Sequence, residues 1–256
     1  MITNSFDNKS KPIIQPEDIY EKAESNEKVT IVTFSSFLIS YLVDTYKLQL
    51  YKTFRSVGDT IFVYSLKLDD KEFFIYKTQI GAAVSGLLMQ EVAVSTGSHK
   101  FIFFGSSGVL DEDKCRGKII VPSESYRDEG VSYHYAPASD YIDIKNHKFV
   151  DEFLTKQNVP HVVGRIWTTD AFYMETENKI KARKDDGCIA VDMEISGLQA
   201  VANFCNFELY TMIFPADSLD GLEWDKRELG GDPEHALQIK SFEIGLELAK
   251  TLWKMF

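Results

Sequence analysis

Cysteine is scarce in this chain, and its arrangement argues against two classes of site. The 256 residues contain three cysteines, Cys115, Cys188 and Cys205. None of them forms a C-x-x-C pair or a metal-ligand grouping with histidine, so we expect neither a disulfide framework nor a metal site. A sparse, odd set of thiols suits a reducing compartment, which predicts the cytoplasm.

Positive charge is also in short supply. There are 28 lysines and arginines against 39 acidic residues, a net charge of −11. Nucleic acids and anionic membrane surfaces both attract proteins through Lys and Arg, so we expect neither as a partner. The sequence has no apolar run of about 18 residues and begins without the apolar core of a signal peptide. These absences predict a soluble cytoplasmic protein.

Short apolar runs alternate with amphipathic patterns along the chain. The runs predict strands over 31–34, 61–68, 72–77, 101–104, 118–121, 161–167, 188–193 and 209–214. Three- and four-residue spacings predict helices after 81, after 194 and near the C-terminus. This order predicts one α/β domain over 1–256, with a mixed, mostly parallel twisted sheet flanked by helices. Residues 1–11 are expected to be disordered.

Four segments with polar residues follow these predicted strands. In open α/β sheets ligands bind beyond the carboxyl ends of the strands, so the segments are candidates for a site. They are 105–108 (GSSG), 168–173 (TTDAFY), 190–197 (AVDMEISG) and 214–221 (FPADSLDG). Each also has a plain structural interpretation, namely a turn, core aromatic rings, a helix cap and a second turn.

The chemistry of these segments suits a sugar joined to a base. Small residues at 105–108 let backbone N–H groups approach an anion or a sugar closely. Aromatic rings at 172–173 can stack on a nucleobase. Carboxylates at 192 and 194 can accept hydrogen bonds from ribose hydroxyls, and Asp217 can protonate a departing base.

Together, in this order and spacing, the four segments resemble the purine nucleoside and uridine phosphorylase superfamily. The segment Val191-Asp-Met-Glu194 followed by Gly197 is similar to that family's V-E-M-E-x-x-G ribose motif. The resemblance runs from about Ile31 to the C-terminal helix. It implies cleavage of a nucleoside by inorganic phosphate into base and ribose 1-phosphate. It also implies no other cofactor, and a homodimer or homohexamer.

Residue roles follow from the resemblance by position. It implies that Met193, Glu194 and Asp192 bind the ribose, with Glu194 accepting from the 2′ and 3′ hydroxyls. It implies that Phe172, Ser107 and Gly108 contact the base. Asp217 matches the purine-protonating aspartate, so Asp217 and Glu194 are the predicted catalytic residues. Ser106 is placed beside the phosphate.

Two departures from the family pattern concern that phosphate. The family's Gly-Asp-Pro-x-Arg segment is replaced by Thr-Phe-Ser-Ser-Phe at 33–37, and Phe103 stands where an arginine is usual. Arginine clamps a phosphate with two hydrogen bonds at once, so its loss weakens the expected phosphate site. Arg55, reaching a neighbouring subunit, and Arg165 are the candidate substitutes.

The sequence is compatible with more than one base and more than one reaction. The Gln-x-Arg pair of uridine enzymes is replaced by Thr-Glu-Asn at 176–178, which slightly favours a purine, although 128–137 is more similar to the uridine branch. Phosphorolysis is the first expectation. The alternatives are a nucleosidase that uses water, with Asp44 as the nearest candidate to hold it, and an inactive nucleoside-binding protein.

Overall fold

The computed structural model describes residues 1–24, 28–55, 59–221, 223–227, 229 and 231–254, without the side chains of 232 and 233. Its strands are β1 Val29–Thr33, β2 Gln49–Arg55, β3 Thr60–Leu68, β4 Lys71–Lys77, β5 Lys100–Val109, β6 Ile119–Asp128, β7 Tyr141–Asp143, β8 His161–Thr169, β9 Cys188–Asp192 and β10 Glu208–Ser218. Its α-helices are α1 Pro16–Ile19, α2 Ser36–Tyr46, α3 Ala82–Thr96, α4 Glu112–Cys115, α5 Ser132–Tyr135, α6 His147–Lys156, α7 Glu177–Asp185, α8 Ile195–Cys205 and α9 Asp232–Trp253. Two short 3-10 helices cover Ile2–Asn4 and Phe172–Met174.

The strands form one mixed sheet in the order β10-β6-β8-β9-β5-β1-β4-β3-β2. Strand β10 also pairs with β5, so β5, β9, β8, β6 and β10 close into a ring. From β5 the sheet continues outward through β1 and β4 to the hairpin strands β3 and β2. The predicted α/β fold with a mixed sheet is confirmed, while the closure of five strands into a ring was not predicted.

The longest ladders of the sheet, β5–β10 and β6–β8, are parallel. Strand β5 runs parallel to β1 and β10, and β8 runs parallel to β6 and β9. The pairs β3–β4 and β2–β3 are antiparallel, as are the short contacts that complete the ring. Strands β3 and β4 are joined by a tight turn at 69–70, where Asp69 takes the left-handed conformation (φ 55) that such a turn requires.

Helices cover both faces of the outer sheet, which explains the continuous apolar runs. On one face Ile102 and Phe104 pack with Phe242 and Leu246 of α9. On the other face Phe101 and neighbouring residues pack against α3 and α8. Alternate side chains of β5 therefore enter different cores, and a strand buried on both faces needs apolar residues throughout.

Several strands, β5, β6 and β10 among them, continue well beyond their predicted ends. Strand β5 runs through 105–108 to Val109, and β10 runs through to Ser218, because the two pair in parallel over their whole length. The predicted turn at 105–108 is therefore wrong, and Asp217 lies within a strand instead of after one. Residues 105–108 and Asp217 consequently face each other across one ladder.

No helix in the described ranges is long and apolar enough to cross a membrane.

Candidate active site

A cavity of about 450 Å³ opens where β5, β9 and β10 come together. Its volume falls in the range of small-molecule sites. Eight of the predicted site residues line it: Ser106, Ser107, Gly108, Phe172, Asp192, Met193, Glu194 and Asp217. Residues from four separate segments of the sequence thus meet at one place, as the resemblance implied.

Asp192 ends β9 and fixes the start of α8. One carboxylate oxygen accepts from the backbone N–H groups of Glu194 and Ile195, both at 2.8 Å, and the other accepts from the Thr168 hydroxyl at 2.5 Å. Burial raises the pKa of Asp192 above the usual range of an aspartate. With these hydrogen bonds already made, Asp192 chiefly holds the strand-to-helix junction in place.

Glu194 is held against the start of α3. Its carboxylate accepts from the backbone N–H of Gly81 at 2.7 Å, and the residue is only 9% exposed. Burial first, and the negative charge of Asp192 second, raise the pKa of Glu194. A carboxylate has about four acceptor positions, so acceptor capacity remains for ligand hydroxyls.

The close approach of α3 and α8 makes the Gly81–Glu194 contact possible. A Cβ added to Gly197 would lie 2.6 Å from the Cβ of Ala82, and one on Gly86 would lie 3.2 Å from Val201. Glycine at these positions lets the two helices touch. Packing therefore explains the glycine of the ribose motif, Gly197, because the absence of a side chain there lets α3 approach Glu194 closely.

A β-bulge brings Asp217 to the cavity. Pro215 pairs with Ser107 and Asp217 with Gly108, so Ala216 is an extra residue on β10. Bulges of this kind redirect side chains beside functional sites. The carboxylate of Asp217 accepts from the indole N–H of Trp224 at 2.7 Å, and burial raises its pKa.

Gly108 is required for close packing, although the predicted turn is absent. A Cβ at this position would lie 2.7 Å from Leu219 and 2.9 Å from Val191. Any side chain here would push apart β9 and the segment after β10. Gly108 therefore allows Val191 and Leu219 to approach β5 closely beside Asp217.

The aromatic segment lies at the cavity mouth. Phe172 lines the cavity and is 39% exposed, and Tyr173 also lines it and is 95% exposed. The alternative interpretation of both rings as core residues is therefore wrong. Their free faces are available to an aromatic ligand.

Glu175 also lines the cavity and was missed by the sequence reasoning. It follows the 3-10 helix that carries Phe172. Burial, and secondarily the charge of Asp217, raise its pKa to about 7. The only available signal was its place directly after the aromatic segment, because the family motifs considered above assign no role to this position.

Aromatic rings occupy the end of the cavity nearest β1. The ring of Phe34 lies against Gly105, where an added Cβ would be 3.1 Å from its carbons. Phe103, in the position of the missing arginine, is 3% exposed and packs in the core between β5 and α3. Both departures from the family pattern thus place apolar rings where a phosphate clamp was expected.

The described residues that line the cavity include four acids and no Lys, Arg or His. The acids are Glu175, Asp192, Glu194 and Asp217. Arg165 lies outside the cavity with its guanidinium 2.5 Å from Glu124, and Arg55 ends the edge strand β2 with its side chain exposed. The structure therefore does not bring either arginine to Ser106 within one chain.

Comparison with known families identifies one match that covers most of the chain. Residues 28–251 match the model of the phosphorylase superfamily. Among curated proteins, a DeoD-type purine nucleoside phosphorylase of an Exiguobacterium species is 28% identical over 157 residues, which is 58% of this chain and 64% of that protein. An uncharacterised mimivirus protein, R802, is 29% identical over 147 residues, which is 57% of this chain and 58% of that protein. The match therefore spans just under two thirds of the length of these relatives.

Two solved structures share the fold. The native futalosine hydrolase of Helicobacter pylori superposes with a TM-score of 0.61 at 16% identity, covering 74% of this chain and 84% of that one. A mutant of the same hydrolase reaches 0.67 at 15% identity, covering 90% of this chain and 99% of that one. At these identities the likeness concerns the fold alone.

Proposed function

This chain belongs to the phosphorylase superfamily, and on that premise we propose that it cleaves the N-glycosidic bond of a purine nucleoside, with water as the acceptor of the sugar. The observation that carries the choice of acceptor is the set of four acids in a cavity whose described lining holds no cation. Phosphorolysis, the first expectation from the sequence, is retained as the second candidate.

The ribose is proposed to lie between Glu194 and Met193. Glu194 is oriented by the Gly81 N–H and has further acceptor positions for two neighbouring hydroxyls. Met193 is half-buried beside it and offers an apolar contact to the sugar. The ionised form of Glu194 also suits the positive charge that develops on the sugar as the bond breaks, since oppositely charged groups fixed in advance stabilise such a transition state. Because burial raises the pKa of Glu194, this contribution grows as pH rises.

The departing base is proposed to receive a proton from Asp217. Burial raises the pKa of this carboxyl, which favours the protonated form that a general acid needs. The indole N–H of Trp224 orients the carboxyl toward the base. Phe172 would stack on the base from the cavity mouth.

Charge favours water over phosphate as the acceptor. Two like unit charges about 4 Å apart repel by about 4 kcal/mol at an effective dielectric of about 20. A phosphate dianion in the cavity would meet this repulsion from each of the four acids that is ionised, and the described residues that line the cavity include no arginine to compensate it. Water carries no charge and needs only hydrogen bonds.

Phosphorolysis would need a cation from outside this chain. Arg55 is exposed at the end of an edge strand, so a second copy could present it to the cavity. In that case phosphate would bind measurably only in the oligomer, and Arg55→Ala would remove it.

Base release from a panel of nucleosides in phosphate-free buffer tests the proposal. We expect the wild-type chain to release adenine or hypoxanthine without phosphate, and Glu194→Gln to release either base about 10- to 150-fold more slowly. Release that requires phosphate would support the second candidate instead. Tight nucleoside binding without any release would support the inactive, nucleoside-binding alternative.

A further inference from the structure

A second cavity, of about 570 Å³, lies between α9 and β10, beside the turns that lead into β6 and β8. Residues 214–216 of β10 line it, whereas Ile213 and Asp217 of the same strand line the candidate active site. The two cavities share no described lining residue. We propose that the second cavity binds a small phosphomonoester, with its phosphate on two lysines and its apolar body against the walls. The inference does not rest on the proposed function, because it concerns a different cavity.

The charge of this second cavity is opposite to that of the candidate active site. Its described lining includes three cations and one acid, an excess of two positive charges: Lys118, Arg227, Lys240 and Glu234. The described lining of the candidate active site holds four acids and no cation. Positive charge is therefore concentrated here against the net charge of the chain, which is −11. An excess of two matches a phosphate ester, which carries about −1.5 to −2 at neutral pH.

The two lysines of this lining keep their hydrogen-bond donors for a ligand. Neither the Lys118 nor the Lys240 ammonium makes a hydrogen bond or an ion pair with another residue of the described ranges. Lys118 is half-buried in the turn before β6, and Lys240 is exposed on α9. The fold thus brings two segments that are far apart in the sequence to one cavity. Each ammonium has three N–H donors, and lysine binds phosphate as a point charge.

The other two charged residues of the lining are already paired within the protein. Arg227 forms ion pairs with Glu112 and with Asp225, the second at 3.8 Å. The carboxylate of Glu234 accepts from the side-chain amide of Gln238 at 3.2 Å. These contacts hold the arginine and the glutamate in place. The direct contacts to phosphate therefore belong to the two lysines, and the charge of Arg227 adds to the positive field of the cavity.

Much of the remaining wall of the cavity is apolar. It comes from Val159 and Pro160 before β8, Phe214 and Pro215 of β10, and Leu237 of α9. A free phosphate ion would leave these side chains facing water. An ester with an apolar body removes them from water while its phosphate reaches the lysines, which is favourable because burial of apolar surface stabilises a complex. The volume of the cavity is also within the range of sites for small organic molecules.

Calorimetric titration of the full chain with phenyl phosphate tests the inference, because this probe joins one phosphate to one apolar ring. Inorganic phosphate and phenol, titrated separately, represent the two halves of the probe. The titrations are made at about pH 8, where the ester is a dianion. The variants are Lys118→Gln, Lys240→Gln and the double substitution. Lys148→Gln is the matched control, because Lys148 is an exposed lysine on α6 that lines neither cavity. Thermal melting of each variant checks the fold.

We expect the wild type and Lys148→Gln to bind phenyl phosphate more tightly than inorganic phosphate, and phenol more weakly than either. Each substitution at Lys118 or Lys240 removes a charge-assisted contact, so it should weaken binding of phenyl phosphate about tenfold, and the double substitution about a hundredfold. A wild type that does not bind phenyl phosphate, or an unchanged affinity in the double variant, would overturn the inference. Equal affinities for inorganic phosphate and phenyl phosphate would overturn the assignment of an ester.

Phe172→Ala distinguishes the two cavities, because Phe172 offers its ring to an aromatic ligand in the candidate active site. We expect this variant to bind phenyl phosphate as the wild type does. Loss of binding in Phe172→Ala, with normal binding in the lysine variants, would place the probe in the candidate active site and overturn the inference. Binding through the two lysines without cleavage of any nucleoside would uphold the inference and refute the proposed function. Cleavage by a chain that does not bind phenyl phosphate would do the reverse.

Discussion

At the scale of single residues, the four acids of the cavity differ in what the protein already does with them. Asp192 accepts hydrogen bonds from the backbone at the start of α8 and from Thr168. Glu194, which accepts from Gly81, and Asp217, which accepts from Trp224, keep acceptor positions for a ligand. The ribose-binding role of Asp192 stays a prediction, and the structure supports a positioning role for it. Glu194 and Asp217 are therefore the residues whose substitution should affect chemistry most directly.

Replacing Glu194 with glutamine should slow turnover about 10- to 150-fold while leaving the fold intact. The amide keeps the shape and can still accept from Gly81, but it loses the charge that faces the ribose. A hydrogen bond to a charged group is worth about 1.5–3 kcal/mol, which corresponds to about a 10- to 150-fold loss. Steady-state base release measures the loss, and Glu124→Gln, on the exposed Arg165 pair, is the control. Near-native activity in Glu194→Gln would show that the ribose site is misassigned.

The same substitution should also change how stability depends on pH. Burial raises the pKa of Glu194 above its unfolded value, so the folded state binds its proton more tightly than the unfolded state does. This contribution to stability is complete below the unfolded pKa and is lost as pH rises through the folded one. The Tm of Glu194→Gln should therefore fall less than that of the wild type between acidic and alkaline buffer. Parallel Tm–pH curves would mean that Glu194 does not titrate in this way.

Replacing Asp217 with asparagine should slow the reaction according to the leaving group. General-acid catalysis typically contributes about 10²–10⁴-fold, so a purine nucleoside should lose about that much kcat. A nitrophenyl riboside, whose leaving group needs no proton, should lose far less. Asp220→Asn is the control, because that nearby aspartate pairs with Lys184 instead of lining the cavity. Equal losses on both substrates would contradict the role of Asp217 as a general acid.

At the scale of elements, the apolar runs predicted where strands lie but not where they end. The runs at 101–104 and 209–214 predict buried strands, yet both strands continue for several polar or small residues. Pairing between β5 and β10 decides those ends, and pairing between distant segments leaves no local signal. Helix α7 was missed for a related reason, since its sequence ENKIKARKD is almost wholly polar and has no apolar stripe.

Replacing Gly197 with alanine should disturb the α3–α8 contact and, through it, the site. The new Cβ would lie 2.6 Å from that of Ala82 and 3.2 Å from a carboxylate oxygen of Glu129, so the helices must move apart. Overpacking of this kind costs about 1–3 kcal/mol, and the shift would loosen the bond between Gly81 and Glu194. Chemical denaturation and base release measure the two effects.

The matched control for that substitution is Gly245→Ala in α9. Its new Cβ would meet only ordinary contacts, the nearest being Met212 at 3.5 Å. Alanine is favoured over glycine inside a helix by about 0.5–1 kcal/mol, so this variant should be as stable as the wild type or more so. If Gly197→Ala were equally harmless, the packing account of the ribose-motif glycine would be incorrect.

At the scale of the whole molecule, the sequence predicts the fold and the composition of the site better than its electrostatics. The motifs indicated Glu194, Asp217 and Phe172, and all three line one cavity, while their roles stay predictions. Arg55 and Arg165 were proposed as phosphate ligands from charge alone, and the structure brings neither into the cavity. Glu175 was missed because its place in the cavity and its raised pKa depend on the fold, including the charge of Asp217, which lies far away in the sequence.

The chain should form a homodimer or homohexamer in solution. Leu87 on α3 is 54% exposed, and Ile80 and Tyr173 at the cavity mouth are 68% and 95% exposed. Exposed apolar side chains near a site are typical of interaction surfaces. Light scattering at micromolar concentration measures the mass, and a charged residue at Leu87 should lower it. A monomer under these conditions would contradict the prediction.

The identity of the sugar product tests the central claim most directly. The wild-type chain is incubated with adenosine in ¹⁸O-labelled water with excess inorganic phosphate, and the products are followed by NMR and mass spectrometry. A cavity whose described lining holds four acids and no cation predicts free ribose that carries ¹⁸O at C1, at a rate unaffected by phosphate. Ribose 1-phosphate as the main product, formed at a rate that rises with phosphate, would contradict the account.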